Sequence, residues 1–154
     1  MRLTVRGEYA LRAVLALGLH YGPEVVPIRV IAAAQRIPKR FLEQILNDLK
    51  DARVVESRRG VQGGYRLARH PSQISLAEII RHIDGPLAPV SCVSERFYEP
   101  CTCPDERRCG IRDIMKEVRD FVSHHLEQVS VQDLCRRTQM LAVGRGLPSD
   151  DYTI

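Results

Sequence analysis

Apolar positions recur along most of this chain with a helical period, and one short stretch departs from it. Across residues 4–21, Val5, Tyr9, Ala13, Ala16, Leu17 and Leu19 give a broad apolar surface, which predicts a largely buried first helix ended by Gly22-Pro23. Residues 28–35 predict a short second helix, broken at Arg36-Ile37. A third helix opens at Pro38, whose missing N–H has no intrahelical partner in a first turn. On it Phe41, Leu42, Ile45, Leu46 and Leu49 share one face, and Lys39, Arg40, Glu43, Gln44 and Asn47 are left facing out. Residues 54–58 and 65–68, on either side of Gly60, Gly63 and Gly64, then predict two short strands in a hairpin.

His70-Pro71 breaks the chain, and Ser75-Leu76-Ala77-Glu78 reads as a capping box that starts a fourth helix. Leu76, Ile79, Ile80 and Ile83 form its buried stripe, and Gly85-Pro86 stops it. Periodicity then disappears through a region containing Pro89, Pro100 and Pro104. It returns over residues 111–129, where Ile111, Ile114, Met115, Val118, Phe121, Val122, His125 and Val129 follow the three-four spacing of a coiled-coil seam. At ~1.5 Å per residue this helix is nearly ~30 Å long, more than a small neighbouring lobe covers, so it predicts pairing with the same helix of a second chain. A short helix is expected around residues 131–137, and residues 139–154 read as a flexible tail.

The predicted fold is mainly α with a small β-hairpin wing: a winged helix-turn-helix plus a long C-terminal dimerisation helix. Residues 1–86 form the DNA-binding domain, 87–110 a cysteine-containing loop, and 111–138 the dimerisation helix with its short successor. In a winged helix-turn-helix the second helix of the motif lies in the DNA major groove. Charge supports that partner. Residues 36–69 carry nine Lys/Arg against four Asp/Glu, a surplus of five, whereas the whole chain has a net charge of +4. Candidate contacts to an operator duplex are Lys39, Arg40, Glu43, Gln44 and Asn47 on the helix, and Arg58, Arg59, Gly60, Gly63, Gly64 and Arg66 on the hairpin. The glycines are expected to let the tip approach the DNA backbone, and Glu43 to accept from a cytosine amino group.

The chain has no Ser/His/Asp set, phosphate loop or paired-carboxylate motif, so an enzyme is not expected. It has no apolar run of ~18 residues and no signal-peptide pattern, so the expectation is a cytoplasmic protein away from the membrane. In a reducing compartment, five cysteines point to metal ligation or redox chemistry rather than structural disulfides. Four of them, Cys92, Cys101, Cys103 and Cys109, lie in or beside the proline-containing loop. Their spacing lacks the paired CxxC knuckles of a zinc ribbon and the CxxCxxC run of ferredoxins, so it leaves iron–sulfur, zinc and thiol chemistry open. Cys135 stands apart and reads as a small buried hydrophobe. Glu8 reads as a favourable charge near a helix N-terminus.

The segments GEYALRAVLALG, IPKRFLEQILNDLKDARVVESRRGVQGGYRLAR and ISLAEIIRHIDGP, followed by the cysteine cluster, resemble the IscR/NsrR family of bacterial winged-helix regulators. The resemblance runs in order over about residues 1–137. It implies a homodimer built on the long helix and, in many members, a two-iron or four-iron iron–sulfur cluster whose state controls operator affinity. The family's loop cysteines match Cys92, Cys103 and Cys109, the last two keeping the family's five-residue interval; Cys101 is extra and is a possible substitute for Cys103. Members resembling the cluster-biogenesis regulator place a His three residues after the last Cys. Here that residue is Arg112, whose guanidinium has no lone pair to donate. Members resembling the nitric-oxide sensor use a first-helix carboxylate from the partner subunit, a place held by Glu8. The resemblance therefore implies three thiolates and one carboxylate oxygen. The alternative is a cluster-free winged-helix regulator with a zinc or thiol-switch loop. A third reading, from another class, is an electron-transfer or cluster-carrier protein.

Overall fold

Alanine is what lets so many elements crowd round the first helix. Helix α1 (Val5–Leu19) buries Gly7, Ala10, Ala13, Val14, Ala16 and Leu17. Small side chains at 10, 13 and 16 allow α2 (Ile28–Gln35), α3 (Lys39–Asp51), α4 (Leu76–Ile83) and α6 (Val131–Gly144) all to pack against it. Thr4 caps α1 by accepting from the Gly7 N–H. The structure, a computed structural model, describes residues 3–144.

Ile31, Leu42, Ile45, Leu46 and Leu49 join Val14 and Leu17 in the centre of the core. Strands β1 (Val55–Arg58) and β2 (Gly64–Leu67) pair antiparallel, with Val55 opposite Leu67 and Arg58 opposite Gly64. Val55 and Leu67 bury the base of the hairpin in that core, while its tip projects. Val26 adds a bridge to Tyr65, tying the hairpin to the segment before α2.

Helix α5 (Gly110–Gln128) packs against α4 near its C-terminal end, where Leu126 meets Ala77, Ile80 and Leu87. Along it Ile111, Ile114, Val118 and Phe121 lie exposed, Phe121 at 74%. The chain then returns. The Val129 carbonyl accepts from Leu76 N at 2.9 Å, and Val131 N donates to the Ile74 carbonyl at 2.9 Å, so Ser130 pairs with Ser75. Both serines are helix caps: Ser75 Oγ accepts from Glu78 N at 3.1 Å, and Ser130 Oγ accepts from Asp133 N at 3.2 Å.

Several details differ from the sequence reading. Pro38 is the N-cap of α3, one place before the first helical residue. Phe41 is 57% exposed. At 3.6 residues per turn it sits about a quarter-turn from the centre of the Leu42, Ile45, Leu46 and Leu49 stripe, so it leaves the core and lines a shallow groove with Val5 and Tyr9. Val5, also expected to be buried, is exposed with it. Helix α6 continues to Gly144 rather than ending near 137, so the first part of the expected tail is helical; residues 145–154 lie outside the described ones. It buries Val131 and Cys135 against α1, where a side chain at Gly18 would begin 2.7 Å from Cys135 Sγ. Although adjacent to α5 in sequence, α6 completes the core built on α1.

Candidate nucleic-acid interface and cysteine site

The reading unit is set by one left-handed residue. Arg36 has φ 51° and ψ 44°, which ends α2 and lets Ile37 N bond back to the Ala32 carbonyl at 3.0 Å. Ile37 is buried in the turn, and the apolar stripe of α3 seats that helix on α1. What remains outside is Lys39, Arg40, Glu43, Gln44 and Asn47, all exposed. Lys39 Nζ lies 3.6 Å from Glu43 Oε1, a pair one turn apart.

At the wing, Arg58, Arg59, Gly60, Val61 and Gln62 are all exposed. Gly60 has φ 111°, a conformation that favours glycine. The other two glycines serve the protein's own packing. A Cβ at Gly63 would sit 2.5 Å from the Arg58 carbonyl oxygen, and one at Gly64 would sit 2.4 Å from that of Val26. Gly64 is buried, and the close approach it permits is to residue 26. Arg66 is engaged as well: it pairs with Glu56 across the hairpin and donates Nη1 to the Pro23 carbonyl at 2.8 Å. Among the described residues, Arg58 and Arg59 are the cationic side chains of the wing without a partner.

The cysteines gather where α5 begins. Cys109 is the N-cap of α5 and its Sγ accepts from Arg112 N at 3.4 Å. Cys103 Sγ lies 3.4 Å from Cys109 Sγ. Cys92 is buried in a single 3₁₀ turn (Ser91–Val93). These thiols are not equivalent. The Arg112 amide, then the Cys103 thiol, lower the Cys109 pKa, as expected at a helix N-terminus. Hydrogen bonds to Cys101 and Cys109 push Cys103 up to about 12. Burial, reinforced by neighbouring Cys101, raises Cys92.

Arg112 is central to this site. Its Nε donates to the Cys92 carbonyl at 3.2 Å and lies 3.1 Å from Glu106 Oε1. Tyr98 Oη donates to the same Glu106 carboxylate, 2.6 and 2.7 Å from its two oxygens. One heptad on, Arg119 donates Nη1 to the Val93 carbonyl at 2.7 Å. Sequence reasoning set Arg112 aside as a non-ligand and missed Arg119, Tyr98 and Glu106. The available signal was the seven-residue interval between two arginines on the flank of the seam.

Glu8 is exposed on α1 and lies 3.4 Å from Arg12 Nη1. Among the described residues, no three His, Cys, Asp or Glu side chains are drawn together as a finished metal cage. The donor set nonetheless suits an iron–sulfur group: soft thiols on one loop, two already in contact and one with its ionised form favoured.

A helix-turn-helix seated on a buried α1, with a projecting basic wing and a helix whose apolar seam is bare, defines a winged-helix transcription regulator. The chain belongs to the Rrf2 family, described as iron-dependent transcriptional regulators, whose model matches residues 3–137. It is 45% identical over 120 residues to an rrf2-like HTH-type transcriptional regulator of Rhodobacter capsulatus, covering 75% of this chain and 80% of that one. It is 31% identical over 150 residues to the HTH-type transcriptional regulator IscR of Xenorhabdus nematophila, covering 97% and 88%. The solved structure of CymR, the global cysteine regulator of B. subtilis, superposes with TM-score 0.75 at 27% identity, covering 89% of this chain and 98% of that one. These relatives are regulators rather than enzymes. No helix among the described residues is long and apolar enough to cross a membrane.

Proposed function

We propose that this protein is a homodimeric DNA-binding regulator whose operator affinity is controlled by an iron–sulfur cluster held by Cys92, Cys103, Cys109 and the partner protomer's Glu8. The observation that carries this reading is the gathering of thiols at the N-cap of α5, the helix whose exposed seam is the natural dimer contact. Lys39, Arg40, Gln44 and Asn47 meet base edges and phosphates, Glu43 sharpens sequence choice, and Arg58 and Arg59 contact the flanking backbone. When bound, the cluster supplies a group sensitive to oxygen, nitric oxide and iron supply. The chain's own part is mechanical. The loop is bonded to the head of α5, and the far end of α5 is bonded to residues 74 and 76 of the DNA lobe. The loop's arrangement therefore bears on the spacing of two recognition helices, which must meet half-sites about one helical turn apart.

Protein purified without oxygen should show a broad visible absorption band and contain iron and inorganic sulfide. Colourless protein with one zinc per chain would refute the cluster. The 3.4 Å contact between Cys103 and Cys109 favours a second reading, a cluster-free thiol switch. It predicts a 103–109 disulfide in peroxide-treated protein, mapped by peptide mass.

A further inference from the structure

The cysteine segment is held in place by side chains that are not ligands. Arg112 and Arg119, one heptad apart on α5, donate to the carbonyls of the consecutive residues Cys92 and Val93, at 3.2 and 2.7 Å. Each is backed by an acid from the loop: Glu106 at 3.1 Å from Arg112, and Glu95 at 3.4 Å from Arg119. Tyr98 closes the first pair by donating to Glu106. The result is continuous, from Tyr98 through Glu106 and Arg112 to the Cys92 backbone, and it includes no thiol donor. Cys92, Val93 and Ser94 are buried as a consequence, in a stretch with only short 3₁₀ structure to hold it. The Arg119 side chain is only 13% exposed, so its bond to Val93 is shielded from competing water.

We propose that Arg112 is the positioning residue of the cysteine site. It stands three residues after Cys109, on the first turn of α5, and grips the backbone of Cys92 so that Cys92 and Cys109 form a preassembled half-site. Under the proposed function, Cys103 of the same loop and the partner's Glu8 would complete it. Both contacts are made at Nε, which donates its one hydrogen to the carbonyl while the guanidinium charge keeps the Glu106 carboxylate beside it, a fixed geometry that a flexible ammonium reproduces less well. The consequence for cluster retention rests on the proposed function; the grip on Cys92 does not.

The test uses the full chain in its metal-free, reduced form. Iodoacetamide labelling is followed residue by residue through peptide mass. In Arg112→Ala, Cys92 should label about fivefold faster while Cys135 keeps its wild-type rate, because the loss is a local opening. Arg112→Lys should restore part of the protection. Tyr98→Phe, which removes one hydroxyl and nothing from the core, should raise Cys92 labelling about twofold. Unchanged Cys92 labelling in both Arg112→Ala and Tyr98→Phe would overturn the proposal. So would equal acceleration at Cys92 and Cys135 in Tyr98→Phe, which would mean general loosening. A separate arm compares the decay in air of visible absorbance of loaded protein. If wild type takes up no iron and sulfide, the cluster reading fails while the labelling arm still decides the role of Arg112.

Discussion

Gly7 and the carboxylate of Asp84 touch with no room for a methyl group between them. A Cβ at position 7 would lie 2.1 Å from Asp84 Oδ2. The same carboxylate accepts from Thr4 N at 2.9 Å and Thr4 Oγ1 at 2.5 Å, which joins the start of α1 to the end of α4. Replacing an ordinary helical glycine by alanine stabilises by up to ~1 kcal/mol. Here Gly7→Ala is expected to destabilise instead, by about 1–3 kcal/mol, because the carboxylate must be displaced from its two donors. Urea unfolding followed by circular dichroism gives the sign directly, and a stabilised variant would refute the clamp.

Arg59 is exposed at the wing and has no partner among the described residues, whereas Arg66 is bound to Glu56 and Pro23. Arg59→Ala should weaken operator binding and reduce the slope of log affinity against log salt by about one, leaving thermal stability unchanged. Arg66→Ala should instead loosen the hairpin. Fluorescence anisotropy at several salt concentrations, alongside melting curves, separates the two, and identical slopes for Arg59→Ala and wild type would count against a wing phosphate contact.

Removing Glu8 should cost the isolated fold little. Among the described residues, its side chain makes an exposed pair with Arg12 at 3.4 Å, of a kind worth less than ~1 kcal/mol. If it completes the partner's site, Glu8→Ala loses visible absorbance faster in air, and Glu8→Cys keeps the band with altered shape. Equal decay of wild type and Glu8→Ala would return Glu8 to a surface charge.

Asp133 makes the start of α6 sensitive to acid. The Ser130 hydroxyl first, then the Ser130 amide, with Arg136 and Arg137 adding their charge, hold its carboxyl below the usual carboxylate range. A depressed pKa means stability that is fully present above the unfolded-state pKa of about 4 and is lost as pH falls through the lower folded value. The melting-temperature gap between wild type and Asp133→Asn is therefore expected to be full near neutral pH and to shrink below about pH 4. A gap that grows with acidification would contradict this account.

The helix-turn-helix was legible because its signals are local and agree with one another. Leu42, Ile45, Leu46 and Leu49 keep a helical period, Arg36 falls where α2 must stop, and Ser75 caps the start of α4, although Glu78 turns to Arg69 rather than reaching back to complete a capping box. Phe41 and Val5 were misjudged because periodicity places a residue on a face but does not fix how far the neighbouring helix extends over it. Helix α6 was cut short because beyond residue 137 its face is mostly bare: Met140, Leu141 and Val143 are exposed and only Ala142 is buried. The cysteines could be picked out by type. Their support could not, since the bonds of Arg112 and Arg119 run to backbone carbonyls, which every residue has.

Helix α5 is fastened at its head through Arg112 and Arg119 and at its foot through the Ser130–Ser75 pairing, so its length sets an angular phase. At ~100° per residue, a single inserted alanine between these fastenings would swing the cysteine loop by more than a quarter of a revolution relative to the DNA lobe. Placed between Arg119 and Phe121, the same residue would carry Phe121 out of line with Ile111, Ile114 and Val118. An inserted heptad would lengthen the molecule yet nearly preserve that phase. The helix is therefore a keyed shaft, tolerant of added span and intolerant of added rotation.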